Sequence, residues 1–144
     1  MKIILALILI ILFPPLSEKQ MLNDNEHIRL ELLQPEKMSL ENSGEIAFFF
    51  EPVIGIHINT NPLFELKLEK NSPFEVVGKA RFQKNEKEYL DLKKPLEFSI
   101  KPKKGTKAGD QKLKGKLNYF YCSDKEGWCN RFSQTIDITI NVIP

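Results

Sequence analysis

The chain lacks the signatures of most enzyme classes. It has no Gly-rich phosphate loop and no Gly-x-Ser-x-Gly elbow, so nucleotide-dependent and α/β-hydrolase chemistry have no foothold. Its carboxylates are numerous but follow no distinguishing spacing, which leaves a paired-carboxylate hydrolase without support. Cysteine is scarce: Cys122 and Cys129 are the only two. With His57 they would leave a tetrahedral metal shell incomplete, so neither a metal nor another cofactor is expected. Charge of one sign is lacking as well, with 21 Lys and Arg against 19 Asp and Glu. The formal charge of +2 falls by one more if Lys2 is lost with a leader, and nucleic acid is not an expected partner. Beyond the first residues there is no persuasive helical periodicity and no internal repeat. Only Glu86 to Lys94 is ambiguous between a loop and one helical turn.

What is present begins with export. Lys2 precedes an uninterrupted apolar run from Ile3 to Phe13, and Pro14-Pro15-Leu16-Ser17 closes it, the layout of a secretory signal peptide over residues 1–17. Eleven apolar residues are short of the usual length of a bilayer-spanning helix. Small residues at the usual cleavage spacing are missing, so an uncleaved tether through residues 3–13 stands as the alternative, and membrane contact is expected only there. No cysteine follows the run, which removes a lipoprotein anchor. The expected location is periplasmic or secreted, with residues 18–27 as a linker and residues 28–144 as one domain. Roughly 125 residues suffice for one core.

In that domain apolar residues recur with period two, and β-branched and aromatic types fill the runs. Ile28, Leu30 and Leu32 alternate with polar neighbours before Pro35; Ile46, Phe48 and Phe50 do so before Pro52. Ile54, Ile56 and Ile58, then Phe64, Leu66 and Leu68, continue the pattern, with further strands expected over Phe74 to Phe82 and Leu96 to Lys101. In the last segment Phe132, Ile136, Ile138, Ile140 and Val142 share one face, opposite Ser133, Thr135, Asp137, Thr139 and Asn141. Leu113, Leu117, Tyr119 and Tyr121 form a matching stripe that runs into Cys122. These two segments predict an antiparallel hairpin whose connection carries both cysteines. Seven or eight short strands in all predict an all-β, immunoglobulin-like two-sheet antiparallel sandwich. The lysines from Lys101 to Lys116, interspersed with Gly105 and Gly109, read as a solvated loop between two strands.

The cysteine spacing excludes the bridge of antibody-type domains, whose cysteines lie far apart. Here Asp124 and Gly127 suit a turn between two facing sulfurs. Loop-closure entropy makes such a short bridge worth about 2.5 kcal/mol. Spacing alone leaves open a permanent staple and a bond that is made and broken. Lys125, Arg131 and His57 would favour a thiolate, while Asp124 and Glu126 would oppose it. His57 reads equally as a histidine hydrogen-bonded within the sheet, and Trp128 as an ordinary core or rim aromatic.

The stretch Tyr119-Phe120-Tyr121-Cys122, a short polar loop with Gly127, then Trp128 and Cys129 leading into an alternating final strand, resembles the N-terminal periplasmic domain of the thiol:disulfide interchange protein DsbD. It is also similar to the C-terminal β domain of thioredoxin-like proteins with NHL repeats. Gly55-Ile56-His57-Ile58-Asn59 matches a Gly-x-His-Ile-Asn segment of the same superfamily. The resemblance spans roughly residues 28 to 143. It implies an immunoglobulin-like fold and a redox-active Cys122 and Cys129 pair, with Cys129 forming the mixed disulfide. It further implies an active site lined by His57, Asn59, Val76, Tyr121 and Trp128, and partners that are thioredoxin-like or other periplasmic thiol–disulfide proteins.

This sequence departs from that family in three respects. Val76, within Phe74-Glu75-Val76-Val77-Gly78, stands where the family places the aromatic of a cap loop. Asn130 and Arg131 stand where DsbD has two prolines. DsbD also continues into membrane and thioredoxin-like domains, so the expectation here is an exchange or electron-relay module without its own electron supply. The alternative is a non-catalytic binding or structural sandwich stapled by a permanent Cys122–Cys129 bond.

Overall fold

A computed structural model describes residues 17–144; the apolar run Ile3 to Phe13, read as the core of a signal peptide, lies outside the described residues. Ten strands follow in order: β1 (Ser17–Leu22), β2 (Ile28–Pro35), β3 (Lys37–Ser39), β4 (Gly44–Pro52), β5 (Ile56–Ile58), β6 (Glu65–Leu68), β7 (Phe74–Arg81), β8 (Leu96–Pro102), β9 (Gly109–Ser123) and β10 (Trp128–Ile143). One sheet has the order β1-β2-β4-β8-β7. The other has β3-β10-β9-β5, with β6 also paired to β9. All neighbours are antiparallel except β3 and β10.

The two inner faces bury the period-two stripes against each other, which is why alternation in sequence becomes a sandwich in space. Leu30 and Leu32 of β2, Phe48 of β4 and Ile100 of β8 are fully buried, as are Leu113, Leu117 and Tyr119 of β9 and Ile140 of β10. Each such apolar side chain is worth about 1.5–3 kcal/mol when removed from water. Between the sheets the ring of Phe50 meets that of Tyr119 edge-on at 5.1 Å. Gln134 interrupts the apolar stripe of β10 yet is fully buried. Its amide donates to the Asp24 carboxylate and to the Thr135 carbonyl, tying the β1–β2 connection to the second sheet.

Three sequence expectations need correction. Residues 18–27, read as a linker, begin with strand β1, which pairs with β2 from Ser17↔Pro35 to Leu22↔Leu30. An edge strand can be held by backbone bonds alone, and Glu18, Lys19 and Gln20 leave no apolar pattern to announce it. The strands are ten rather than seven or eight, and two are long, at 15 and 16 residues. Lys112, Lys114 and Lys116 stand on the outer face of β9, opposite the inward Leu113 and Leu117 of the predicted stripe, so the lysine-rich loop is confined to residues 103–108, with Lys103, Lys104 and Lys107. Of the two readings left open for Glu86 to Lys94, the loop is the one found: Lys84 and Leu90 bridge, and the Tyr89 carbonyl accepts from the Asn85 amide at 2.8 Å.

Gly115 permits β6 to lie against β9. A Cβ at that position would stand 2.5 Å from the Lys67 carbonyl oxygen and 3.0 Å from the Leu68 Cα, both backbone atoms. Gly115→Ala is expected to lower unfolding stability by about 1–3 kcal/mol through overpacking. Chemical denaturation checks this, and an unchanged midpoint would mean that β6 yields freely.

Candidate functional site

Strands β9 and β10 meet at a tight turn over residues 124–127. The Gly127 amide donates to the Ser123 carbonyl at 2.9 Å and the Glu126 amide to the Ser123 hydroxyl at 3.2 Å. Gly127 has φ +71°, a conformation that suits glycine. The cysteines are not in the turn, as expected from sequence, but in the strands flanking it, where Cys129 is paired directly with Cys122. Their sulfurs are bonded and their Cα atoms lie 4.0 Å apart, the narrow spacing of a non-hydrogen-bonded rung. Strand alternation sends Tyr121 and Trp128 towards the core and both cysteines to the outer face of the sheet.

On the far side of β9 lies β5, whose His57 is the cross-strand partner of Cys122. One residue beyond β5, the Asn59 side-chain amide donates to the Cys122 sulfur at 3.2 Å. Its backbone amide is held by the Phe120 carbonyl at 2.9 Å. The His57 Nδ1 is 3.2 Å from an Asp124 carboxylate oxygen, within ion-pair reach but without hydrogen-bond alignment. Tyr89 stacks on the His57 ring, with centroids 3.6 Å apart and planes 14° from parallel. The Leu90 amide on the Ile58 carbonyl and the Thr60 hydroxyl on the Glu88 carbonyl pin the Tyr89 segment to β5. The outer row therefore reads Tyr89, His57, Cys122, Cys129.

Beneath this row lies an aromatic layer. Tyr121 and Trp128 meet edge-on at 5.7 Å, and His27, from the β1–β2 connection, contacts both. Trp128 donates its indole N–H to Glu126 at 2.6 Å. Asn25 donates to the Tyr119 hydroxyl at 3.1 Å and accepts from the His27 backbone amide at 2.9 Å. Burial pushes the Tyr119 hydroxyl pKa well above its ordinary value, against the opposing effect of the Asn25 hydrogen bond.

The two sulfurs differ sharply in access. Cys122 is 6% exposed, whereas Cys129 faces solvent. The more accessible Cys129 is the side from which a thiolate would attack, and a charge developing on the departing Cys122 sulfur would meet the Asn59 amide. A hydrogen bond donated to the charged form favours that form.

Of the residues named from sequence, Cys122, Cys129, His57, Asn59, Tyr121 and Trp128 come together. Val76 does not. The Phe74 to Gly78 stretch, where the resemblance implies a cap loop, is part of strand β7 in the other sheet, and Val76 pairs there with Ile100. Sequence reasoning missed Tyr89, His27 and Asn25. Tyr89 sits in the ambiguous polar segment without periodic partners. Its one local signal is Asn85, whose side chain accepts from the Lys87 and Tyr89 amides to shape the turn.

No known protein-family model matches the chain, and no curated protein matches it. Among solved structures, the GAE domain of yeast GGA1 is similar, at 15% identity and a TM-score of 0.50, covering 84% of this chain and 98% of that one. At that identity the likeness speaks for the fold alone, and the fold is an immunoglobulin-like β-sandwich.

Proposed function

We propose that this domain is an exported thiol–disulfide exchange module of the DsbD N-terminal kind, relaying electrons through Cys122 and Cys129. The observation that carries the reading is the unequal environment of the two bonded sulfurs: Cys129 is open to solvent, while Cys122 is buried and receives the Asn59 amide. A staple needs no such asymmetry. Exchange does, because attack and departure occur at different sulfurs.

In the reducing direction a partner thiolate attacks the Cys129 sulfur. The Cys122–Cys129 bond breaks, its electron pair leaves on Cys122, and a mixed disulfide joins Cys129 to the partner. The partner's second thiolate then attacks its own bonded sulfur and releases Cys129. The partner dithiol has become a disulfide, and two electrons and two protons have passed to this domain. The reverse sequence starts from a Cys129 thiolate and is resolved by Cys122. A thioredoxin-like dithiol protein fits this stoichiometry. Export is supported by the N-terminal apolar run and by the persistence of disulfides outside the cytoplasm.

Equilibration against glutathione or dithiothreitol tests the proposal. A reduction potential of about −120 to −270 mV is expected, and one below about −300 mV would mark a permanent staple. Asn59→Ala removes the donor to the Cys122 thiolate and so destabilises the reduced form. A hydrogen bond to a charged group is worth about 1.5–3 kcal/mol, and about 1.4 kcal/mol corresponds to 30 mV, so the variant's potential should fall by at least about 30 mV.

A further inference from the structure

We propose that the outer face of β6, β9 and β10 is a docking groove for an acidic segment of the exchange partner, leading away from Cys129 along the hairpin. This rests on the exchange reading for the partner's identity, although the groove itself is tested independently of it.

The register places the groove. Along β10 the outward positions after Cys129 are Arg131, Ser133, Thr135 and Asp137, and Thr135 is flanked across the sheet by Lys116 and then Lys67. At about 3.4 Å per residue, Arg131 stands ~7 Å and the Lys67–Lys116 row ~20 Å from the disulfide rung. Between and below them is a groove of about 570 Å³, lined by five cations and two carboxylates. Of the carboxylates, Asp137 lies between Lys112 and Lys114, at 3.6 and 3.7 Å. Glu69 is the other. Arg131, Lys67, Lys70 and Lys116 have no ion-pair partner among the described residues.

Lys67 and Lys116 are direct cross-strand partners. Like charges set opposite each other cost a sheet stability, and among the described residues no carboxylate comes within ion-pair distance of either, although Glu65 and Glu69 flank Lys67 two positions away on β6 and its continuation. Their charge is available to something outside the domain. The groove opens on the same sheet face as the exposed sulfur, so a partner held at Cys129 would lay its neighbouring chain along it. An extended segment with carboxylates about two and six residues from its reactive cysteine matches the spacing of the cations.

The binding test uses the oxidised full chain and thiol-free labelled peptides, an extended Glu-containing sequence and its Gln counterpart, followed by fluorescence anisotropy. The Glu peptide should bind at least about tenfold tighter at low salt, with the difference collapsing as salt rises. Lys116→Glu and, separately, Arg131→Gln should each remove most of that preference. Equal binding of the two peptides overturns the groove. The kinetic test pairs the reduced protein with disulfides of Cys-Gly-Glu-Gly-Gly-Gly-Glu and its Gln counterpart. Exchange about tenfold faster with the Glu peptide is expected. Exchange at equal rates overturns the groove and leaves the exchange reading standing. Tight Glu-peptide binding without any exchange supports the groove and overturns the exchange reading.

Discussion

Cys122→Ser is expected to yield a domain that captures its partner as a stable mixed disulfide, while Cys129→Ser captures almost none. The two variants lose the same cross-link, worth about 2.5 kcal/mol by loop closure, so the loss of the bond itself does not separate them. It comes from access. The remaining thiol in Cys122→Ser is the solvent-facing Cys129, whereas in Cys129→Ser it is Cys122, 6% exposed between His57 and Asn59. Thiol reactivity follows thiolate fraction and access, and burial of this degree is expected to slow alkylation by about 100-fold. Iodoacetamide kinetics on the two folded variants measure the ratio, and mass spectrometry of partners trapped from periplasmic extract gives the functional readout. Equal alkylation rates would remove the division of labour between the sulfurs. Failure of Cys122→Ser to retain a thioredoxin-like partner would remove the relay.

Tyr119→Ala should cost about 3–5 kcal/mol, among the largest losses available to a single substitution here. The ring is fully buried, meets Phe50 of the opposite sheet edge-on at 5.1 Å and lies against Phe132 and Tyr121 on its own. Removing it opens a cavity where the two sheets join and withdraws support from the layer under the disulfide. Tyr119→Phe keeps the packing but strands the Asn25 amide, at a cost of about 1–3 kcal/mol. The pair of variants separates packing from polarity in one denaturation series. The same hydroxyl predicts an alkaline response. Its pKa is raised in the fold by burial, so the folded state holds the proton more tightly than the unfolded chain. Its contribution is complete below the ordinary tyrosine range near pH 10 and declines as pH rises above it. Tyr119→Phe should flatten that decline, and an unchanged slope would place the alkaline sensitivity elsewhere.

Much of the sandwich was legible because burial on one face writes itself as alternation. Strands β2, β4, β8, β9 and β10 each carry that mark, and the hairpin of β9 and β10 was predicted from matching stripes. Strands β1 and β3 carry none, being held by backbone pairing at sheet edges. The parallel partnership of β3 with β10 is a non-local choice that no local window contains. At the site, the family resemblance named His57 and Asn59 with the cysteines, and they meet because β5 runs beside β9 in register. Tyr89 reaches the same row from a polar loop by stacking, an arrangement with no periodicity to betray it. Val76 was placed by analogy with another protein's loop, and a strand occupies that stretch instead.

The ladder of β9 and β10 runs unbroken from Trp128↔Ser123 to Val142↔Gly109, and the sulfur bond spans one rung near its end. The ring that this bond closes is already closed by backbone hydrogen bonds. Reduction is therefore expected to leave the hairpin, the turn and both neighbouring strands in place, so that under the proposed exchange the oxidised and reduced domains would share one backbone. An exchange module built this way would cycle between its two states without repaying a folding cost at each turnover. A partner of such a module would have to discriminate the states by the sulfurs themselves.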